Sequence, residues 1–298
     1  MVRDNSLSSK LLDVFVYFVM ILVLVITIYP VLHVVASSFS GRIANEAGRV
    51  TFFPRDFTVE PYVQIWRGGT VPRAFLNSIR YTTVGVLIQM FVTTTFAFAL
   101  SHKHLPLRGA YTLFAIFTMY FSGGMIATFI LVNNQLGLGN SMWALVLPPA
   151  MGIGNFIIMR TFFQNLPAEL QESARLDGAG DITIFVRIVL PLSKAVLYTI
   201  GLFYMVGHWN SWFSAMIYLR DPDLFPLQLV LRHIVVLARD VRDMIDVGDM
   251  AAIGYMAHFN VIGIRYATVV VAIVPMLVIY PFIQRHFVKG VMIGSLKG

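Results

Sequence analysis

Two groups of residues in this chain have the types and spacing to do chemistry. Tyr204, His208, Ser211 and Trp212 recur at i, i+4, i+7 and i+8, so a continuous helix puts them on one face, with Trp209 and Asn210 alongside. Such a face can stack aromatic rings on a ligand and offer imidazole, hydroxyl and amide groups to it. It can equally be an aromatic belt at a membrane surface, and the spacing alone does not choose. The second group runs from Asn165 to Pro191. Asn165, Pro167 and Glu169 read as a helix start: a cap, a first-turn proline and an acid at the positive end of the dipole. Gly178 and Gly180 supply its end, and Leu166, Leu170 and Ala174 share one face. Asp181 can cap a further piece, which Pro191 interrupts. A short capped helix of this kind either fits a cleft on another protein or is a plain connector.

Other chemistries are excluded by what is missing. The chain has no cysteine, which removes disulfides, thiolate metal sites and a Cys nucleophile. No His-Glu-x-x-His string occurs, and His102 and His104 stand two apart in a loop as solvated side chains rather than metal ligands. No glycine precedes any of the five lysines (Lys10, Lys103, Lys194, Lys289, Lys297), so the lysine-bearing loop that cradles nucleotide phosphates is absent. The net charge of +7 comes from scattered residues and not from a basic tract, which argues against nucleic acid as a partner.

The elements that position these groups are set by hydrophobicity. Of the 298 residues 57% are hydrophobic and 12% charged, against roughly 25% charged in soluble domains. The 51 residues between Arg108 and Arg160 carry no Asp, Glu, Lys or Arg, enough for two crossings of a hydrocarbon layer about 30 Å thick. Six uncharged segments of spanning length follow: 14–36, 81–101, 109–132, 141–159, 195–219 and 266–284. The expectation is an all-α polytopic membrane protein with about six transmembrane helices, residues 1–298 forming a single transmembrane domain. The apolar run Val14–Leu32 is too long for a signal-peptide core, so the first segment reads as an uncleaved span. Pro148, Pro149, Gly152 and Gly154 suggest a kink or break in the fourth span. Gln89, Thr93 and Asn155 read as interhelical hydrogen-bonding residues, and 224–237, which holds Arg232 and His233, as an amphipathic helix outside the hydrocarbon. Counted over everything, Lys and Arg tie at 11 on each face. The short loops decide: 102–108 has Lys103 and Arg108 while 133–140 has neither type, which puts both termini in the cytoplasm. The segments 37–80 and 220–265 are then external, with 11 arginines and 9 acids between them. They read as docking surfaces or as ordinary solvated surface.

The loop 160–194 carries a longer pattern. Glu172-Ser173-Ala174, three residues, Gly178, nine residues, then Ile188-Val189-Leu190-Pro191 resembles the EAA loop of ATP-binding-cassette importer permeases. Ser173 stands where the family has a second alanine, a small residue for a small one. The resemblance covers most of the chain and is close to the maltose-type sugar permeases, through Gly207-His208-Trp209-Asn210-Ser211-Trp212 and the stretch from Tyr280-Pro281-Phe282 to Gly294. Within that family it is nearest the branch for complex oligosaccharides and polysaccharides, including uronate polymers such as alginate.

The resemblance implies a non-enzymatic permease subunit in the bacterial cytoplasmic (inner) membrane. Glu172, Ser173, Ala174, Asp177, Gly178, Leu190 and Pro191 would form the ATPase-coupling loop. Ala174 and Gly178 would permit close approach to an ATPase groove, and Glu172 would meet basic residues there. The tail ending in Lys297 and Gly298 would insert between the ATPase subunits. The implied partners are a homologous permease, two ATPase subunits holding the ATP and Mg, and an extracytoplasmic sugar-binding protein. Beside that resemblance, the spacing itself makes Tyr204, His208, Ser211 and Trp212, with Trp209 and Asn210 next to them, the candidate carbohydrate pathway, against the alternative of an aromatic belt. The rival class is a secondary transporter without ATPase, which would need ionisable residues within its spans for ion coupling; the six segments have no Asp, Glu, Lys or Arg.

Overall fold

The computed structural model describes the backbone of residues 7–246 and 260–295, and the side chains of 9–236 and 260–281. Among these residues all regular structure is helical. In chain order the helices are α1 (Leu7–Ser38), α2 (Arg42–Glu46), α3 (Glu60–Arg67), α4 (Thr70–Ser101), α5 (Arg108–Tyr120), α6 (Gly124–Ile130), α7 (Trp143–Val146) and α8 (Ile153–Gln164). They continue as α9 (Ala168–Leu176), α10 (Asp181–Ile184), α11 (Leu190–Leu192), α12 (Lys194–Trp209), α13 (Phe213–Tyr218), α14 (Leu227–Asp246) and α15 (Val261–Ser295). The tail residues Lys297 and Gly298 lie outside the described residues.

Three stretches are long and apolar enough to cross a membrane unbroken: Ser9–Ser38, Thr70–Ser101 and Val261–Pro281. The first buries none of its apolar window against the chain, and its Leu11, Phe15 and Phe18 are mostly exposed. Only hydrocarbon or another subunit can cover such a surface without a large cost.

The other segments depart from straight spans, each for a local reason. The segment 109–132 is bent by 111° between α5 and the piece Gly124–Gln135. Ser122, Gly123 and Gly124 lie at the bend, with Gly124 at φ +79, a conformation glycine enters without a Cβ penalty. The segment 141–159 is α7, an irregular stretch through Pro148 and Pro149, and then α8. Two adjacent prolines lack amide donors, so the helix does not continue through them, although Leu147 before them still holds helical angles (φ −76, ψ −42). The segment 195–219 stops at Trp209 and restarts at Phe213, with Asn210 Nδ2 donating back to the Val206 carbonyl at 3.0 Å. Counting each bent pair as one span, the total reaches five. The second span also starts earlier than expected, at Thr70, and the amphipathic helix runs from Leu227, after Pro226, to Asp246.

The chain divides into two compact units, Met1–Val71 with Leu231–Ile273, and Pro72–Val230 with Val274–Gly298. In the first, Asn45 Nδ2 donates to the carbonyls of Ser37 (3.0 Å) and Ser40 (3.2 Å), Asn260 Nδ2 donates to Ser40 (3.1 Å), and Ser38 Oγ meets Tyr62 Oη at 2.8 Å. The second has a core around Phe156, Met159, Ile184, Val189 and Ile200, all fully buried, against which Leu105, Leu166, Ala174 and Ala179 pack. The 102–108 and 160–194 loops are therefore joined through one cluster. The 133–140 loop joins a different region: Asn140 N–H donates to the Tyr218 carbonyl (2.8 Å), and Asn140 Oδ1 accepts from the amides of Arg220 (2.9 Å) and Asp221 (3.0 Å).

Candidate functional site

The segment after α8 folds from its glycines and prolines. Asn165 ends α8, its N–H donating to Thr161 (3.2 Å), so it is not the cap of the next helix. Pro167 holds that position in an extended conformation, ψ 123, and α9 begins at Ala168. At the other end Gly178 has φ +84, its N–H donates to the Arg175 carbonyl (3.0 Å), and Ala179 N–H reaches back to Ala174 (2.9 Å). This is the six-to-one closure that ends a helix on a left-handed residue. Ala174 and Ala179 both pack on the core cluster, so the closure has an apolar contact behind it. Asp181 does not cap α10. Gly180 holds that position, and the Asp181 carboxylate accepts from Arg175 Nη2 at 2.9 Å in an exposed pair worth little energetically.

α9 is thus a nine-residue helix held by Leu166 and Ala174 on one side and open on the other. Glu172, Ser173, Asp177 and Gly178 are exposed, Leu176 is 90% exposed, and Ile182 just beyond is 81% exposed. Leu170, expected on the packed face, remains 43% exposed. Downstream, Phe185–Val189 is a π-turn, Leu190 is half-buried, Pro191 is exposed in α11, and the chain bends by 83° into α12. Behind α9, burial and then the neighbouring Arg108 guanidinium hold Arg160 below the ordinary arginine range. With its amide turned to meet these donors, the Gln164 oxygen accepts from Arg160 Nε (3.2 Å) and from Arg108. His102 is not solvated: its Nδ1 lies 2.9 Å from the Phe98 carbonyl, and its ring packs edge-on to Phe98.

The second group does not form one continuous helical face. α12 ends at Trp209, so Ser211 and Trp212 leave the helical register that would align them with Tyr204 and His208. Tyr204 is buried and bonded: its hydroxyl meets Thr93 Oγ1 at 2.6 Å and accepts from Gly152 N–H at 3.2 Å. Trp209 is buried edge-on against Phe75, Asn210 is exposed, and Trp212 is 38% exposed beside Phe213. Tyr204 and His208 instead meet α4 at Thr93 and Gly85, on a helix face that also carries Thr82 and Gln89. Gln89 Nε2 donates to the Pro149 carbonyl, so α4 and α12 together hold the broken fourth segment. At Gly85 a Cβ would collide with the His208 imidazole. Thr82 Oγ1, Gln89 Oε1 and His208 Nε2 are buried without hydrogen-bond partners among the described residues. Beside them a cavity of about 420 Å³ is lined by Thr82, Thr83, Leu87, Met205, Trp209 and Pro275. The break and Tyr204 were separately visible in the sequence, but nothing there links Gln89 to Pro149 or Gly85 to His208, because those partners are distant along the chain.

Apolar helices that the chain itself leaves uncovered, broken spans clamped by buried polar groups, and a small helix projecting from a loop define a polytopic membrane permease. No family model matches the chain. It is 38% identical over 292 residues to the polygalacturonan/rhamnogalacturonan transport system permease protein YtcP of Bacillus subtilis, covering 98% of this chain and 100% of that one. It is 43% identical over 278 residues to protein LplC of the same organism, covering 92% and 90%. A crystal structure of a bacterial ABC transporter involved in the import of the acidic polysaccharide alginate aligns with TM-score 0.86 at 27% identity, over 96% of this chain and all of the matched one. The chain belongs to the sugar-transport permeases of the ATP-binding-cassette importers, as a multi-pass transport subunit of the inner membrane that works with ATPase, binding-protein and permease partners.

Proposed function

We propose that this permease imports fragments of an acidic, uronate-containing polysaccharide, with both termini in the cytoplasm. α9 is its docking element for a separate ATPase, which holds the ATP and Mg. The observation that carries the coupling role is the geometry of α9: anchored behind by Leu166 and Ala174, closed by Gly178, and presenting Glu172, Leu176 and Ile182 outward. Leu176 and Ile182, 90% and 81% exposed, are the apolar side chains that a docked ATPase would cover. Ser173 keeps the exposed helix surface low enough for close approach, while Ala174, expected at that contact, packs on the core instead. The acidic substrate is supported by the substrates of two related systems, polygalacturonan/rhamnogalacturonan and alginate. The pathway is assigned to the seam of Tyr204, His208 and Trp209, with Asn210, Ser211 and Trp212 at its end.

Co-purification tests the coupling role. Leu176→Glu and Glu172→Arg should each weaken retention of the ATPase, by about thirtyfold if either side chain is a hot spot worth 2 kcal/mol. Expression and membrane insertion should persist. A complex that assembles and turns over normally with both substitutions would remove α9 from the interface.

A further inference from the structure

Away from α9 and the seam, a cavity of about 580 Å³ opens in the segment between α1 and α3. That volume lies within the range of small-ligand sites. Ala44, Gly48, Arg49, Thr51, Arg55 and Asp56 are among its lining residues. The chain around it is closed on itself. Gly41 N–H donates to the Arg55 carbonyl (3.0 Å), Arg55 N–H to Ser40 Oγ (3.0 Å), and Thr58 N–H to Phe39 (2.9 Å). At Gly41 a Cβ would fall 2.9 Å from Asp56 Cβ, so a glycine is what lets the two arms of the loop meet. Backbone bonds therefore hold together the two arms of the loop that carry Arg55 and Asp56.

Its charges are unspent. Arg42, outside the cavity, lies 3.4 Å from Glu46. Arg49, Arg55 and Asp56 make no ion pair or side-chain hydrogen bond among the described residues. Arg49 and Arg55 both line the cavity, and a guanidinium fork matches the planar geometry of a carboxylate, which it can bind through two parallel bonds. Asp56 supplies an acceptor for hydroxyl groups and would repel a simple polyanion. A ligand satisfying both is a carboxylate carried on a hydroxyl-rich ring; a neutral sugar could take hydrogen bonds from the arginines but would leave their charge unmatched.

We propose that Arg49 and Arg55 form a carboxylate-binding site that receives a uronate unit of the incoming saccharide, with Asp56 accepting from its hydroxyls. This deepens the proposed function, resting on its acidic substrate and on segment 37–80 being extracytoplasmic. The test uses the full chain in lipid nanodiscs, with trigalacturonate and neutral maltotriose as probes and Arg67→Gln as a control outside the cavity. Trigalacturonate should bind, the Arg49→Gln/Arg55→Gln double variant should weaken it at least about tenfold, Arg67→Gln should not, and Arg49→Lys/Arg55→Lys should recover part of the loss. If the wild type binds trigalacturonate and the Gln double variant binds it equally, the site is wrong and the acidic substrate stands. If maltotriose binds the wild type as tightly as trigalacturonate and the Gln double variant changes neither, both readings fail. If the double variant binds trigalacturonate normally but the assembled importer no longer responds to its binding protein, the arginines face an acidic protein surface, which overturns the saccharide site.

Discussion

At the scale of single residues, two glycines do opposite jobs. Gly178 has open space around it, so its role is conformational: at φ +84 an L-residue pays about 1–2 kcal/mol. Gly178→Ala should therefore loosen the end of α9 and reduce substrate-stimulated ATP hydrolysis in the assembled importer. Gly178→Asn should do so less, because asparagine enters the left-handed region more readily; equal effects would point to contact with the ATPase instead. Gly85 is the reverse case, a helical glycine with normal backbone whose missing side chain makes room for His208. Gly85→Ala should cost about 1–3 kcal/mol of stability, read as a lower Tm, and adding His208→Ala should recover much of it. A double variant less stable than Gly85→Ala alone would show that the ring is not what fills the space.

Elements carry the next level. The fourth segment cannot be a regular helix, so its free backbone groups need partners supplied from α4 and α12. Gln89 meets the Pro149 carbonyl, and Tyr204 meets the Gly152 amide while bonding Thr93. Tyr204→Phe keeps the ring and removes the hydroxyl, leaving Gly152 N–H and Thr93 without that partner. About 1–3 kcal/mol of destabilisation should follow, seen as a lower Tm in the full chain. If Tyr204→Phe leaves the Tm unchanged, the clamp is not a structural requirement. The end of α12 raises a separate question, since Trp212 lies beyond the helix and partly exposed. A sugar-contacting Trp212 predicts that Trp212→Ala changes the rank order of saccharides that stimulate ATPase activity. A packing or belt tryptophan predicts an unchanged rank order.

For the whole molecule, sidedness is the property on which coupling and substrate entry both depend. The cluster joining Leu105 to Leu166 and Ala174, and the bonds joining Asn140 to residues 218–221, group the loops as the charge bias of the short loops does. A reporter fused after Lys103 should therefore behave as cytoplasmic and one inserted in 133–140 as external. Because the chain has no cysteine, single cysteines at these positions give an independent reading by labelling from outside intact cells. The reverse pattern would place α9 away from any cytoplasmic ATPase.

The sequence by itself determined what composition and short-range spacing determine. Uncharged runs of spanning length can only be helices in lipid, so the class was legible in full. The α9 end at Gly178 was legible because helix termination is local, decided by one residue's access to left-handed backbone. Local signals also misplaced two caps: Asn165 and Asp181 are good capping types, yet Pro167 and Gly180 took those positions. The straightness of the spans was read correctly only at Pro148 and Pro149; Gly123-Gly124 is a local turn signal too, but it lies inside an apolar run, and the length of such a run says nothing of a bend. The aligned face from Tyr204 to Trp212 failed for the same reason, since periodicity assumes a continuous helix and α12 stops at Trp209. The pairing of Gly85 with His208, of Gln89 with Pro149, and the gathering of Arg49, Arg55 and Asp56 around one cavity were decided only by tertiary structure. Each joins groups through packing or loop closure, and chain order does not encode such distances.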